Sequence, residues 1–184
     1  MKLAALFSGG KDSTYAIHLA KKLSHSVDVL LTLYPHSDES HLLHHPNIKF
    51  TTLQSESMGI PQLIEEIPSV ENETEFKKLE KLITMAKENH SIEGIVHGGI
   101  LSKYQKDNFS LICQKNDLEI ISPLWNKNPE SYMKELLEEN FEYIISSVSC
   151  DGLDDSWLGQ KIDENGLKTL ENLQNKFGFN LNFE

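Results

Sequence analysis

The sequence predicts an α/β fold: a doubly wound, mostly parallel sheet with a smaller C-terminal lobe. Three observations carry this. The chain opens strand–loop–helix–strand before Tyr34. Further on, short apolar runs bounded by Gly, Ser or Pro alternate with longer amphipathic segments, as parallel strands alternate with their crossover helices. The first strand runs into a glycine-rich loop, the place where such sheets bind ligands.

Each element follows from its own pattern. Lys2–Phe7 (KLAALF) is a short apolar run and predicts a buried parallel strand. Ser8-Gly9-Gly10 breaks it. The next segment carries Tyr15, Ile17, Leu19, Ala20 and Leu23 on one helical face. Lys21 and Lys22 stand near its end, where cations complement the helix dipole. Val27–Leu33 reads as a second strand, joined by a right-handed crossover. Tyr34–Asn47 is polar and His-rich and reads as a long loop, and Met58-Gly59-Ile60-Pro61 as a turn. Glu73–Asn89 predicts a charged helix with Phe76, Leu79, Leu82, Ile83 and Ala86 on one side. Gly94–His97 predicts a strand closed by Gly98-Gly99, Lys103–Asn116 a helix, and Leu118–Ile121 a strand ended by Ser122-Pro123. Asn128–Asn140 predicts a helix with Asn128 as N-cap and Pro129 at its first position. Tyr143–Val148 reads as a further strand and Asn165–Phe177 as a last helix.

With 184 residues and 39% hydrophobic content, the chain is long enough for one cored domain with an appendage. The expected division is a nucleotide-binding domain over 1–122 and a smaller substrate-side region over 123–184. The opening residues lack the pattern of a signal peptide, and no run reaches the roughly 20 apolar residues of a membrane span. A soluble cytoplasmic protein is expected. The formal net charge is −11 and no Lys/Arg cluster stands out, which argues against nucleic acid as a partner. Lys21–Lys22 and Lys77–Lys78 read as solvated helix faces. Cys113 and Cys150, far apart and outside any CxxC, read as two buried free thiols. His36, His41, His44 and His45 show no standard metal-ligand spacing and read as a polar loop over the ligand cleft.

In Ser8–Ser13 (SGGKDS) the residue types suit a polyanion. Gly9 and Gly10 permit positive φ and a close approach of the backbone. The amides of Gly9 to Asp12 and the following helix N-terminus favour negative charge. Ser8 and Ser13 supply hydroxyls, and Lys11 a mobile cation. Asp12 cannot bind phosphate directly, and suits a helix cap or a place on Mg²⁺. The pattern is neither GxxxxGK[ST] nor GxGxxG.

SGGKDS after a first strand resembles the PP-loop ATP pyrophosphatases, of adenine nucleotide α-hydrolase-like fold. Further segments resemble one branch, the diphthine–ammonia ligases. Gly98–Lys106 (GGILSKYQK) is similar to that family's GAIxSxYQRxR, with Gly99 for Ala and Lys106 for Arg. Cys113 and Pro123-Leu124-Trp125 match its downstream Cys and PLW. Gly152–Asp163 resembles GLDEKWLGRRID, Ser40–His44 resembles SYMFH, and Glu56–Pro61 resembles EAMGIP. The family pattern continues with a GGE(F/Y)-type motif about where this sequence reaches Phe183-Glu184, which reads either as a truncated sequence or as a shortened member of the family.

The resemblance implies that ATP and Mg²⁺ adenylate the carboxylate of diphthine on translation elongation factor 2. Ammonia then displaces AMP, giving diphthamide. Lys11 and Asp12 are the expected catalytic residues, with Asp12 on Mg²⁺. Ser8, Gly9, Gly10, Lys11, Asp12, Ser13, Gly98 and Gly99 are expected to hold ATP. His44, Glu56, Tyr104, Gln105, Lys106 and Trp157 are expected on the substrate side. Trp125 is expected as packing, and Glu56 as a proton acceptor for ammonia if one is needed. Trp157 and Asp163 stand evenly between contacting the protein substrate and tying two lobes together. A homo-oligomer is compatible with the sequence. Two alternatives stay open: a PP-loop enzyme acting on tRNA or a small amide acceptor, and a nucleotide-binding protein without turnover.

Overall fold

The computed structural model describes residues 1–35, 47–67 and 72–183, with side chains from 75 onward in the last stretch. The histidines of 36–45 lie outside these residues. The chain divides into two units, Met1–Trp125 and Asn126–Glu184.

In the first unit, β1 (Lys2–Leu6), β2 (Ser26–Pro35), β3 (Gln62–Ile67), β4 (Gly94–Val96) and β5 (Glu119–Ile121) form one sheet ordered β3-β2-β1-β4-β5. Every pairing is parallel. The helices are α1 (Lys11–Lys22), α2 (Thr51–Met58), α3 (Asn72–His90) and α4 (Lys103–Lys115). Ala4, Leu6, Val29, Leu31, Leu33 and Ile95 share a core with Leu79, Leu82, Ile83 and Ala86 of α3 and Phe109, Ile112 and Cys113 of α4. Leu3, Ala5 and Leu30 point the other way by the two-residue strand period, yet are equally buried. Helix α1 contacts β1, β2 and β4 on that side. Both sheet faces are therefore covered, which is why β1 and β2 read as continuous apolar runs.

Several expectations change. Strand β2 runs on through Tyr34 and Pro35, which were expected in the loop. Leu23 is 61% exposed and lies off the buried face of α1, where Ser13, Tyr15, Ala16, Ile17 and Ala20 sit. Two elements carried no hydrophobic signal. The inward residues of α2 are Thr51 and Ser55, whose hydroxyls donate to Ile48 O (2.7 Å) and Ile60 O (2.6 Å). Strand β3 lies at a sheet edge and breaks its pattern with Glu65. That carboxylate accepts from Lys78 Nζ at 2.8 Å and from Lys81 Nζ, and the two lysines hold it below the usual carboxylate range.

In the second unit, α5 (Pro129–Glu138) is capped by Asn128, whose Oδ1 accepts from Ser131 N at 3.0 Å, with Pro129 at the first position. Helix α6 (Glu164–Phe177) is capped by Asp163, whose Oδ1 accepts from Gly166 N at 2.8 Å. Tyr132, Met133, Leu136, Leu167 and Leu170 are buried. The expected strand over 143–148 is not a sheet strand. It makes two isolated bridges, Ile144 antiparallel to Lys161 and Ile145 parallel to Leu158. Cys113 is buried, and desolvation raises its thiol to about 11; Cys150 is half-buried rather than buried. Among the described residues no helix is long and apolar enough to cross a membrane.

Candidate functional site

In a sheet ordered β3-β2-β1-β4-β5, the strand order reverses between β1 and β4, successive strands being added on one side of β1 and then on the other. The loops leaving those strands diverge there and open a crevice at the carboxyl ends. The two glycine pairs sit on its two sides, Gly9-Gly10 after β1 and Gly98-Gly99 after β4.

On the β1 side, Gly9 has φ +77°, a conformation that disfavours any side chain. Its carbonyl accepts from Gln54 Nε2 of α2 at 2.9 Å. Gly10 is extended, at φ −77° and ψ 166°, so it uses no positive φ. It forms the N-cap of α1 without a side-chain hydrogen bond. Asp12 is therefore not the cap: its oxygens accept from Lys11 Nζ at 2.9 and 3.0 Å. The Lys11 side chain is only 11% exposed. Ser13 is buried; its hydroxyl donates to Gly10 O at 3.0 Å and lies 3.4 Å from Ser8 Oγ. Thr14 Oγ1 also donates to Gly10 O, at 2.9 Å. These bonds tie the loop to the first turn of α1. No capping side chain competes there for an incoming anion.

On the β4 side, a Cβ on Gly98 would lie 2.5 Å from Asp12 C and 2.7 Å from Ser13 N. Gly98 is thus glycine because the first turn of α1 occupies the space, not to admit a ligand at its own Cα. Gly99 N donates to His97 Nδ1 at 3.1 Å. With Nδ1 accepting, Nε2 carries the proton and donates to Ser122 Oγ, 2.6 Å away. His97 is 2% exposed, and desolvation, helped by the Lys106 charge, lowers its pKa to about 4. A neutral ring therefore clamps the loop after β4 to the end of β5.

Beyond Gly99 the chain enters α4, capped by Ser102, whose Oγ accepts from Gln105 N at 3.3 Å. Gln105 Oε1 lies 3.1 Å from the Cβ position on Gly99. Tyr104 is 44% exposed and meets Phe76 of α3 edge-on, with ring centroids 6.3 Å apart. Lys106 Nζ stands 4.2 Å above the Trp125 ring. Glu56 is exposed on α2. It sits two residues past Gln54, about 200° round the helix, so Gln54 is the residue that α2 presents to the loop. Trp157, half-buried, ends a 3₁₀ turn in the second unit, capped by Asp154 Oδ1 accepting from Ser156 N at 2.9 Å. Asp163 acts as a helix cap, and His44 lies outside the described residues.

The sequence reading missed Gln54 and His97. Gln54 left no trace in a polar helix. His97 had a signal: a lone titratable ring closing an apolar strand directly before two glycines.

A glycine–lysine loop and a bare helix N-terminus, set across a parallel switch point from a second glycine wall, define an α/β protein with a cradle suited to an anion at its switch point. The chain belongs to the diphthamide synthase family. The N-terminal domain of that family matches residues 1–120 and its C-terminal domain residues 128–184. Curated relatives include diphthine–ammonia ligases from Rattus norvegicus (33% identical), Bos taurus (32%) and Homo sapiens (31%). Each alignment spans 196 residues, 97% of this chain and 73% of the relative.

Proposed function

We infer that this chain is an ATP-dependent carbon–nitrogen ligase that amidates diphthine on translation elongation factor 2 in the cytoplasm, the last step of diphthamide synthesis. The observation that carries this is likeness to diphthine–ammonia ligases over 97% of the chain, on a sheet whose switch point is flanked by an anion cradle.

In this reading the first turn of α1 and the hydroxyls of Ser8 and Ser13 receive the ATP phosphates. Lys11 exchanges its Asp12 partner for phosphate oxygens and offsets the charge that develops on pyrophosphate. Mg²⁺ is compatible with this site, because it is commonly held by one or two carboxylates together with substrate phosphates; Asp12 is the carboxylate to hold it, and the ion would add charge neutralisation. A diphthine carboxylate oxygen attacks the α-phosphorus, and pyrophosphate leaves. Ammonia then attacks the acyl carbon, and AMP leaves. Positioning and charge neutralisation do most of this work. The neutral His97 ring keeps the second wall rigid. Gly98 and Gly99 border the nucleotide, and Tyr104, Gln105 and Lys106, with His44, Glu56 and Trp157, are assigned to the substrate side.

Pyrophosphate release tests the reading. Release beyond a single turnover is expected to require Mg-ATP, diphthine-bearing elongation factor 2 and ammonium together, and to be lost in Lys11→Ala and Asp12→Ala. ATP binding without release under those conditions would instead identify a nucleotide-binding protein without turnover.

A further inference from the structure

Glu75 lies in the first turn of α3. Helical spacing puts it on the stripe that continues through Leu79, Leu82, Ile83 and Ala86 into the core. Its side chain is wholly buried, at 0% exposure, and neither carboxylate oxygen has a hydrogen-bond partner among the described residues. Leaving both oxygens of a buried carboxyl group without a hydrogen bond is costly, and such a group calls for a partner from outside the described residues.

Its place in the fold bears on what that partner is. Helix α3 follows the carboxyl end of β3, so its first turn lies along the ligand-bearing edge of the sheet. Phe76, the next residue, meets Tyr104 and so joins this turn to the first turn of α4. An ionised carboxylate would take a cation. A divalent metal takes several oxygen ligands, and among the described residues no group of three His, Cys, Asp or Glu could hold one. A quaternary ammonium brings no N–H donor to satisfy the oxygens. A single carboxylate enclosed on an apolar stripe suits a small monovalent cation that carries its own donors.

We propose that Glu75 binds the ammonium ion and takes the proton that converts it to the ammonia nucleophile. This rests on the ligase reading above. The step balances as follows. The Glu75 carboxylate accepts one proton from NH₄⁺ and leaves NH₃. The nitrogen lone pair forms the C–N bond at the acyl carbon, and the C–O bond to AMP breaks with its electron pair on AMP. A second proton passes from the new amide to solvent, and Glu75 later returns its own.

The test compares the full chain with Glu75→Gln, which keeps the shape and removes the charge. Three activities are read with diphthine-bearing elongation factor 2: ATP–pyrophosphate exchange, amide formation with ammonium, and hydroxamate formation with hydroxylamine. Hydroxylamine is neutral at pH 7 and needs no carboxylate. The variant is expected to keep exchange and hydroxamate formation, with the same Mg²⁺ dependence, while kcat/KM for ammonium falls about 100-fold. An unchanged kcat/KM for ammonium, equal loss with both nucleophiles, or a shifted Mg²⁺ dependence overturns the proposal. Wild type alone supplies a second reading should the variant fail to fold. If the ion is the species bound, kcat/KM for total ammonium stays level between about pH 7 and about pH 8.5. If free NH₃ is taken up, it climbs about tenfold per pH unit. Absence of exchange in wild type overturns the ligase reading and this inference together; exchange combined with that climb overturns this inference alone.

Discussion

Two glycine pairs close two adjacent strands, and they are glycine for different reasons. Gly9 is held first by its own backbone: φ is +77°, and a Cβ there would also meet the movable end of Gln54 and, at 3.0 Å, Thr51 Cγ2. Gly98 is held by its neighbours: the backbone of Asp12 and Ser13 fills the space a Cβ would take. The first is a conformational requirement, the second a packing one. What binds the two sides of the crevice together is therefore the contact of Gly98 with the first turn of α1, the turn assigned to ATP.

The largest expected effect follows from that contact. Gly98→Ala pushes a methyl group against backbone atoms that cannot rotate away. A loss of about 3 kcal/mol is expected, read as a lower urea midpoint at unchanged slope, together with lost ATP binding. If stability is unchanged, α1 and the loop after β4 are not rigidly packed, and the contrast between the pairs disappears.

His97 sharpens the comparison through pH. Its pKa is lowered from 6.5 to about 4 in the folded protein. Between those values the unfolded chain takes up a proton that the folded protein refuses. Stability is thus fully present above pH 6.5 and is lost as pH falls towards 4. The contribution amounts to about 3 kcal/mol over the window, or about 1.4 kcal/mol per pH unit. Urea titrations across that range are expected to show a shallower slope in His97→Gln than in wild type. Equal slopes would mean that the ring is not held neutral.

Gly9→Ala is expected to cost less, about 1–2 kcal/mol, chiefly from the left-handed backbone, with Thr51 Cγ2 as a second, closer-packed neighbour. The matching control is Gln54→Ala in both backgrounds. If the double variant recovers all of the loss, side-chain crowding was the cause and the conformational assignment fails. Smallest is Lys106→Ala, which removes the cation from the Trp125 ring for about 0.5–1 kcal/mol. A thermal melt should barely move, so any larger loss of amidation marks Lys106 as a substrate contact.

How far the sequence could be read depended on what each element buries. Strand β2, helix α3 and Asn128-Pro129 at the start of α5 were legible because apolar periodicity and capping chemistry are local. Helix α2 was not, because it buries hydroxyls that are satisfied only by Ile48 O and Ile60 O. Strand β3 was not, because Glu65 is tolerable in a strand only when Lys78 and Lys81 of α3 arrive beside it. The segment over 143–148 has the composition of a strand but makes only isolated bridges.

In the candidate site the same division holds. Ser8–Ser13 was recognisable because residue type, order and a preceding strand all act within a few residues. The cap at Gly10, the Lys11–Asp12 pair, the clamp of His97 on Gly99 and Ser122, and the buried carboxyl group of Glu75 were not. By itself the sequence determined the alternating α/β plan, the position of the phosphate loop and the family. Tertiary structure alone decided which glycine is conformational and which is steric, which carboxylate is paired and which is buried without a partner among the described residues. Those properties belong to atoms brought together from distant parts of the chain, and local patterning carries no record of the contact.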